Sequence, residues 1–394
     1  MEIPKIIIIT TEPFPYGMAA TNRIITYAKG FKQHGVDCKV LCIKPTETAY
    51  SVSNEHVRGE YEGIPYHYTC KTTIKPSGFI KRRFINLKGI LNAAREIRIE
   101  NINDKKLGVI NYTSQILHGY IFYFISAIYN IQYLKEESEH PFVYYNKYCF
   151  LKKIWQYFYV KKYYKLFDGI LVISNALMFF FLRWGFEKKK LLHVPMTVDS
   201  ERFKIRKKKN IQKNIVYSGY LNNKKDGVNI LLEAFKEVIK IYPNLNLKLV
   251  GEPASDELER EYKKFVNIHN LTKHVDFIGK VTRDKMSGLL VSANVLVLPR
   301  PQSVQAQYGF PTKLGEYLAS GNPVVCTKVG EISNYLTDGE DAYLCEPDSS
   351  ESLREKIILA LENPSIGKEG AKTAITHFNP YKQTKKILEF ITTR

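Results

Sequence analysis

Apolar residues in this chain alternate between two patterns. Short unbroken runs are separated by longer stretches in which apolar positions recur every three or four residues. Residues 5–11 form a near-continuous β-branched run, which predicts a parallel strand buried on both faces. A turn-rich loop, Glu12-Pro-Phe-Pro-Tyr-Gly17, follows it. Ile24, Ile25, Tyr27, Ala28 and Phe31 then predict a helix over 21–34, stopped at Gly35, before a second strand at 38–43. Residues 56–68 read as a hairpin or extension and 75–98 as a basic, partly apolar segment. Further strands are expected at 107–112, 133–138 and 169–174, with an apolar helix around 120–131.

After a basic, turn-prone linker at 206–210 the pattern restarts. Strands at 214–218, 246–250 and 274–278 are each followed by a glycine: Gly219, Gly251 and Gly279. Helices are expected at 228–242, 256–267, 285–292, 331–336, 350–362 and 380–391, with strands at 295–298 and 342–345. The fold class is therefore α/β, with two doubly wound domains facing one another across a cleft. The expected boundaries are 1–198 and 199–378, with a terminal helix in 379–394 packing back on the first domain.

Charge changes this picture. The chain carries a formal net charge of +19 over 394 residues, and residues 1–198 account for +13 of it. A basic half implies an anionic partner: nucleic acid, an acidic membrane or a phosphorylated substrate. Residues 75–98 and 150–167 interleave Phe, Tyr, Trp and Leu with Lys and Arg. That pattern suits base stacking, an interfacial helix on anionic lipid, or a helix with one core face and one solvated face. No nucleic-acid-binding motif accompanies it. The six cysteines are scattered, with no CxxC pair or Cys/His cluster, so neither zinc nor a disulfide framework is indicated. The longest apolar tract, 120–131, falls short of the roughly 20 residues of a membrane span. A cytoplasmic location, peripheral to the membrane, is the expectation.

Candidate chemistry concentrates in 308–325, which reads as loop, helix, turn and strand. Thr312 is the expected N-cap, and Leu314, Tyr317 and Leu318 form the apolar stripe. Lys313 and Glu316 lie on the first turns. A helix N-terminus beside a lysine attracts a phosphate, and a nearby carboxylate accepts bonds from the two hydroxyls of a ribose. Gly17, in the loop after the first strand, would let a ligand approach the backbone closely.

Several stretches, in order, carry a resemblance to a known family. They are Met18-Ala-Ala-Thr-Asn-Arg23, Asp168-Gly-Ile-Leu-Val-Ile-Ser174, Val194-Pro-Met-Thr-Val-Asp199 and Tyr217-Ser-Gly-Tyr-Leu with Lys225-Asp-Gly227. Val275-Asp-Phe-Ile-Gly-Lys-Val281, the 308–325 stretch and Leu336-Thr-Asp-Gly-Glu-Asp-Ala-Tyr-Leu344 complete the set. Together they resemble a family-four retaining glycosyltransferase of the GT-B architecture. The resemblance implies transfer of a sugar from a UDP- or GDP-linked donor to a hydroxyl acceptor, lipid-linked or saccharide, in surface polysaccharide or glycolipid synthesis. It implies no metal, because lysines and helix N-termini hold the diphosphate.

By the same resemblance Lys225 and Lys313 supply positive charge to the leaving diphosphate. Glu316 binds the ribose, and Gly219, Gly251, Val281 and Leu314 line the donor site. His140 or its neighbour Glu139 would stand near the transferred sugar. Two departures stand out: Tyr308 replaces the first glutamate of the E-x7-E motif, and Tyr220 replaces an arginine often found after Gly219. Arg300 offers a substitute positive charge. A non-catalytic scaffold partner of another transferase is the alternative these departures motivate.

Overall fold

The computed structural model describes residues 5–103, 107–142, 155–205 and 213–393. The chain divides into two compact units: residues 1–195 together with 380–394, and residues 196–379. The linker at 206–210, Cys149, Lys152 and Lys153 lie outside the described residues.

In the first unit the strands are β1 (Lys5–Thr10), β2 (Cys38–Cys42), β3 (Arg58–Tyr61), β4 (Ile64–Tyr68), β5 (Leu107–Tyr112), β6 (Gln132–Glu137), β7 (Gly169–Val172) and β8 (Leu191–His193). They form one sheet in the order β3-β4-β2-β1-β5-β6-β7-β8. Only the β3–β4 hairpin is antiparallel. Ile6 to Ile9 are fully buried, as an unbroken apolar run demands of a strand covered on both faces. The helices are α1 (Ala19–Gln33), α2 (Phe79–Asn103), α3 (Ile116–Ile128) and α4 (Asn175–Arg183).

One buried ion pair organises this unit. Arg23 on α1 donates from Nε to Glu136 Oε1 on β6 at 2.7 Å, and both side chains are shielded from water. Its two other nitrogens donate to the carbonyls of Pro195 (2.8 Å) and Val194 (2.7 Å). Glu136 also accepts from Tyr27 (3.1 Å) and Ser138 (3.0 Å). The pair therefore bolts the first helix to a central strand and to the chain segment that leaves the unit.

In the second unit the strands are β9 (Asn214–Ser218), β10 (Asn246–Val250), β11 (Val275–Gly279), β12 (Val295–Leu298), β13 (Val324–Thr327) and β14 (Tyr343–Cys345). All pair in parallel, in the order β11-β10-β9-β12-β13-β14. The strand order reverses between β9 and β12, and the crevice outside the carboxyl ends there is where such sheets bind ligands. The helices are α5 (Asn223–Asp226), α6 (Val228–Ile241), α7 (Asp256–Ile268), α8 (Arg283–Ser292), α9 (Val304–Tyr308), α10 (Thr312–Ala319), α11 (Ser350–Glu362) and α12 (Ile366–His377). The last helix, α13 (Pro380–Thr392), belongs to the first unit and packs on α1.

Two local expectations change. The helix expected over 331–336 is only a 3-10 turn at Ile332–Asn334. The short helix α9 was not legible at all; Ser303 caps it, its Oγ accepting the Ala306 N–H at 3.0 Å.

Candidate active site

Lys313, Leu314 and Glu316, expected to meet the donor, lie on α10. Its cap is Pro311, and no side chain caps it. Thr312, expected as the N-cap, is instead the first helical residue. First-turn amides have no intrahelical acceptor, so positive potential is left at this end. Leu314 and Tyr317 turn into the core and are fully buried. The Tyr317 phenol accepts the Ser218 N–H at 2.7 Å and donates to the Ser218 carbonyl at 3.2 Å. That ties α10 to the end of β9 and brings Lys313, one turn earlier, against Gly219.

A Cβ at Gly219 would lie 2.0 Å from the Lys313 ammonium, so any other residue there would displace the lysine from this position. Lys313 Nζ donates to Asp226 Oδ1 at 2.8 Å and to the Tyr217 hydroxyl at 3.0 Å. It sits 4.7 Å from the Tyr217 ring centroid, within cation–π range. Burial lowers the Lys313 pKa, Asp226 opposes that shift, and the like charges of Arg300 and Lys225 reinforce it. Lys313 thus feels both Lys225 and Arg300 at the β9–β12 switch point. Arg300 is buried rather than a surface residue.

Lys225 is exposed on α5, and its neighbour Asp226 makes the contact with Lys313. Sequence reasoning missed Asp226 because the resemblance drew attention to the lysine. The available signal was the single turn after Asn222. Asn222 Oδ1 accepts the N–H groups of Lys224 and Lys225 (2.8 and 3.0 Å), and left-handed Gly227 ends the turn. One turn so fixed, with a charged residue on each side, buries one and exposes the other.

Three strand ends expose bare backbone beside this cluster. The Gly219 N–H donates to the Val250 carbonyl and the Gly251 N–H to the Gly279 carbonyl, both at 2.8 Å. Gly251 has φ of +136°, and a Cβ there would lie 1.8 Å from the Gly219 carbonyl oxygen. Gly251→Ala is therefore expected to cost about 1–3 kcal/mol through strain alone, read as a lower midpoint in thermal unfolding. An unchanged midpoint would refute the close approach. Val281 is half-buried two residues beyond Gly279.

Glu316 does not stand alone. Its Oε1 accepts from Arg202 Nη1 at 2.8 Å, and Arg202 Nη2 donates to the Arg283 carbonyl at 2.7 Å. Arg202 lies on a 3-10 turn, Ser200–Phe203, and was also missed from sequence. Tyr308 ends α9, half-buried.

Gly17, Glu139 and His140 belong to the first unit. A Cβ at Gly17 would lie 2.0 Å from Thr21 Oγ1 and 2.9 Å from the Pro13 carbonyl oxygen, so the loop's own packing onto α1 already requires glycine. Glu139 and His140 follow β6. His140 Nδ1 accepts the Phe142 N–H at 3.2 Å, and its ring packs edge-on against Phe180 at 4.8 Å. Burial pushes its pKa down to about 4, so the imidazole is neutral at physiological pH.

This architecture, two parallel-sheet α/β units, is that of the GT-B glycosyltransferases. HepE from Anabaena, solved in complex with UDP-glucose, superposes with a TM-score of 0.69 at 14% identity, covering 99% of this chain and 100% of HepE. Residues 212–363 match the family Glycosyl transferases group 1. Among curated relatives, a phosphatidylinositol N-acetylglucosaminyltransferase protein of Arabidopsis thaliana is 26% identical over 216 residues, 53% of this chain and 45% of that protein. A lipopolysaccharide 1,2-N-acetylglucosaminetransferase of Salmonella typhimurium is 31% identical over 172 residues, 42% and 44%. The chain thus spans less than half the length of these relatives.

Proposed function

We propose that this protein is a retaining glycosyltransferase that moves a sugar from a UDP- or GDP-linked donor to a hydroxyl acceptor, lipid-linked or saccharide, in surface polysaccharide or glycolipid synthesis. The observation that carries the reading is the Lys313 ammonium, held against Gly219 at the switch point of the second sheet, with Lys225 and Arg300 close by. Departure of a diphosphate builds negative charge on the leaving group, and preorganised cations there lower the barrier. These side chains, rather than a metal ion, meet that charge. Glu316 takes the ribose, sharing its carboxylate with Arg202 or exchanging Arg202 for the two hydroxyls. The backbone at Gly251 and Val281 takes the base. His140 or Glu139 serves the transferred sugar. The Arabidopsis and Salmonella relatives, named for sugar transfer onto a lipid and onto lipopolysaccharide, support the acceptor class. A thermal-shift screen against UDP-, GDP-, CMP- and dTDP-sugars tests the donor, since a ligand bound only by the folded state raises its stability. No shift with any of the four would sink the reading.

The proposal extends to an anionic membrane surface as partner. On α2, Ile80, Phe84, Leu87 and Leu91 fall on one face and are 48–82% exposed. Exposed Lys81, Lys88 and Arg95 run alongside at seven-residue spacing. The adjoining α3 exposes Leu117, Phe124 and Ile128. Among the described residues no helix is long and apolar enough to cross a membrane. Apolar stripes flanked by cations instead suit a helix lying in the headgroup region. Flotation with anionic vesicles at low salt is expected to carry the protein, and neutral vesicles to carry little. With each basic residue near the surface worth about 1 kcal/mol, the triple change Lys81→Glu, Lys88→Glu and Arg95→Glu is expected to weaken binding by at least two orders of magnitude. Failure to float with anionic vesicles would end this part of the proposal.

A further inference from the structure

An ammonium group has three N–H donors. At Lys313 two are already engaged, by Asp226 Oδ1 at 2.8 Å and by the Tyr217 hydroxyl at 3.0 Å. The Tyr217 hydroxyl donates its own proton to the Tyr220 carbonyl at 2.9 Å, so toward Lys313 it acts only as an acceptor. Both acceptors sit on supports that are themselves fixed. Tyr217 is fully buried in β9, and Asp226 is locked by the capped turn of α5 and by Gly227, where a Cβ would strike the Pro299 carbonyl oxygen at 1.9 Å.

An acid beside a diphosphate site repels the ligand, so Asp226 needs a compensating role. We propose that Asp226 is the positioning residue of the donor site. With Tyr217 it holds the Lys313 ammonium in one orientation, keeps it protonated in a buried setting, and leaves one N–H for a phosphate oxygen of the donor. This rests on the reading of Lys313 as a diphosphate contact.

The charges facing Lys313 make the second part necessary. Lys225 on α5 and Arg300 after β12 both act on it as like charges, and burial disfavours its charged form. Against these stand one carboxylate, Asp226, and the neutral Tyr217. Three cations and one acid leave a net positive site, opposite in sign to the diphosphate of a nucleotide sugar and similar to it in magnitude. Without the acid, the cheapest relief of crowding is loss of the Lys313 proton. Asp226 Oδ2 is buried and has no hydrogen-bond partner among the described residues. Asp226→Asn, with its amide oxygen at the Oδ1 position, therefore removes the charge without breaking a bond made by the other oxygen.

The test is titration calorimetry of UDP and GDP on the full chain from about pH 7 to about pH 10, above the range in which the terminal phosphate ionises. Wild-type affinity is expected to hold well into the alkaline range. In Asp226→Asn the Lys313 pKa falls. Binding is then lost at lower pH, declining by up to about tenfold per pH unit once the ammonium titrates. Asp226→Glu, which keeps the charge, is expected to restore much of the wild-type profile. Tyr217→Phe removes one acceptor without touching charge. It is expected to weaken binding by a similar factor at every pH, and it tests the orientation claim even where Asp226→Asn does not fold. An Asp226→Asn profile parallel to wild type, or unaltered affinity in Tyr217→Phe, would overturn the inference. Wild-type protein that binds neither nucleotide would instead defeat the underlying donor-site reading.

Discussion

Lys313→Ala is expected to lower turnover by about 100- to 1000-fold, the loss seen when one preorganised group is removed from a site of developing charge. The structural basis is specific. Lys313 is the cation on α10, and Gly219, Tyr217 and Asp226 are all shaped around its ammonium. Arg300 and Lys225 remain in the variant and stop the loss from being total. Rates of sugar transfer or donor hydrolysis, measured with whichever donor gives the largest thermal shift, provide the check. Tyr308→Phe is the companion measurement. It removes only a hydroxyl at the place where a glutamate was expected, and little change in rate is anticipated. If Lys313→Ala turned over like wild type, the diphosphate would have to bind elsewhere.

Arg23→Met is expected to produce the largest loss of stability among single changes in the first unit. Removing one partner of a buried pair leaves an uncompensated charge, at a cost of about 3–5 kcal/mol. Glu136 would keep its bonds from Tyr27 and Ser138, but the carbonyls of Val194 and Pro195 would lose their donors. At about 2–4 °C per kcal/mol for a unit of this size, the unfolding midpoint drops on the order of 10 °C. The double change Arg23→Met with Glu136→Leu is expected to be less damaging than Arg23→Met alone, because no unpaired charge is then buried. Thermal unfolding of both variants decides it. A double variant no more stable than Arg23→Met would mean that packing, rather than charge, sets the cost.

The two α/β units were legible because their central strands are covered on both faces. A strand such as Ile6–Ile9 can only be an apolar run, and glycines closing β9, β10 and β11 marked the strand ends. Helix α12 was hidden for the converse reason. Gly367 and Gly370 weaken its helical signal, yet each is required by packing. A Cβ at Gly367 would lie 2.4 Å from backbone atoms of Gly321 and Asn322, and one at Gly370 would lie 2.6 Å from the Asp341 carbonyl oxygen. Over 331–336 the helix expected from the pattern shrank to a 3-10 turn.

For the proposed donor site, residue type and order pointed to Lys313, Glu316 and Arg300 as candidates. Which charge faces which was beyond sequence. Lys225 and Asp226 are neighbours in the chain, and the alternatives separate only when α5 completes its turn and sets Asp226 against a lysine 87 residues away. Arg202 reaches Glu316 across 114 residues in the same manner. Local patterning carries the periodicities that make strands and helices, because those depend on neighbours one to four residues apart. Pairing of buried charges depends on distances set by packing between elements far apart in the chain. That is why the class of fold was readable in one dimension, while the partners of Lys313 and Glu316 emerged only in three.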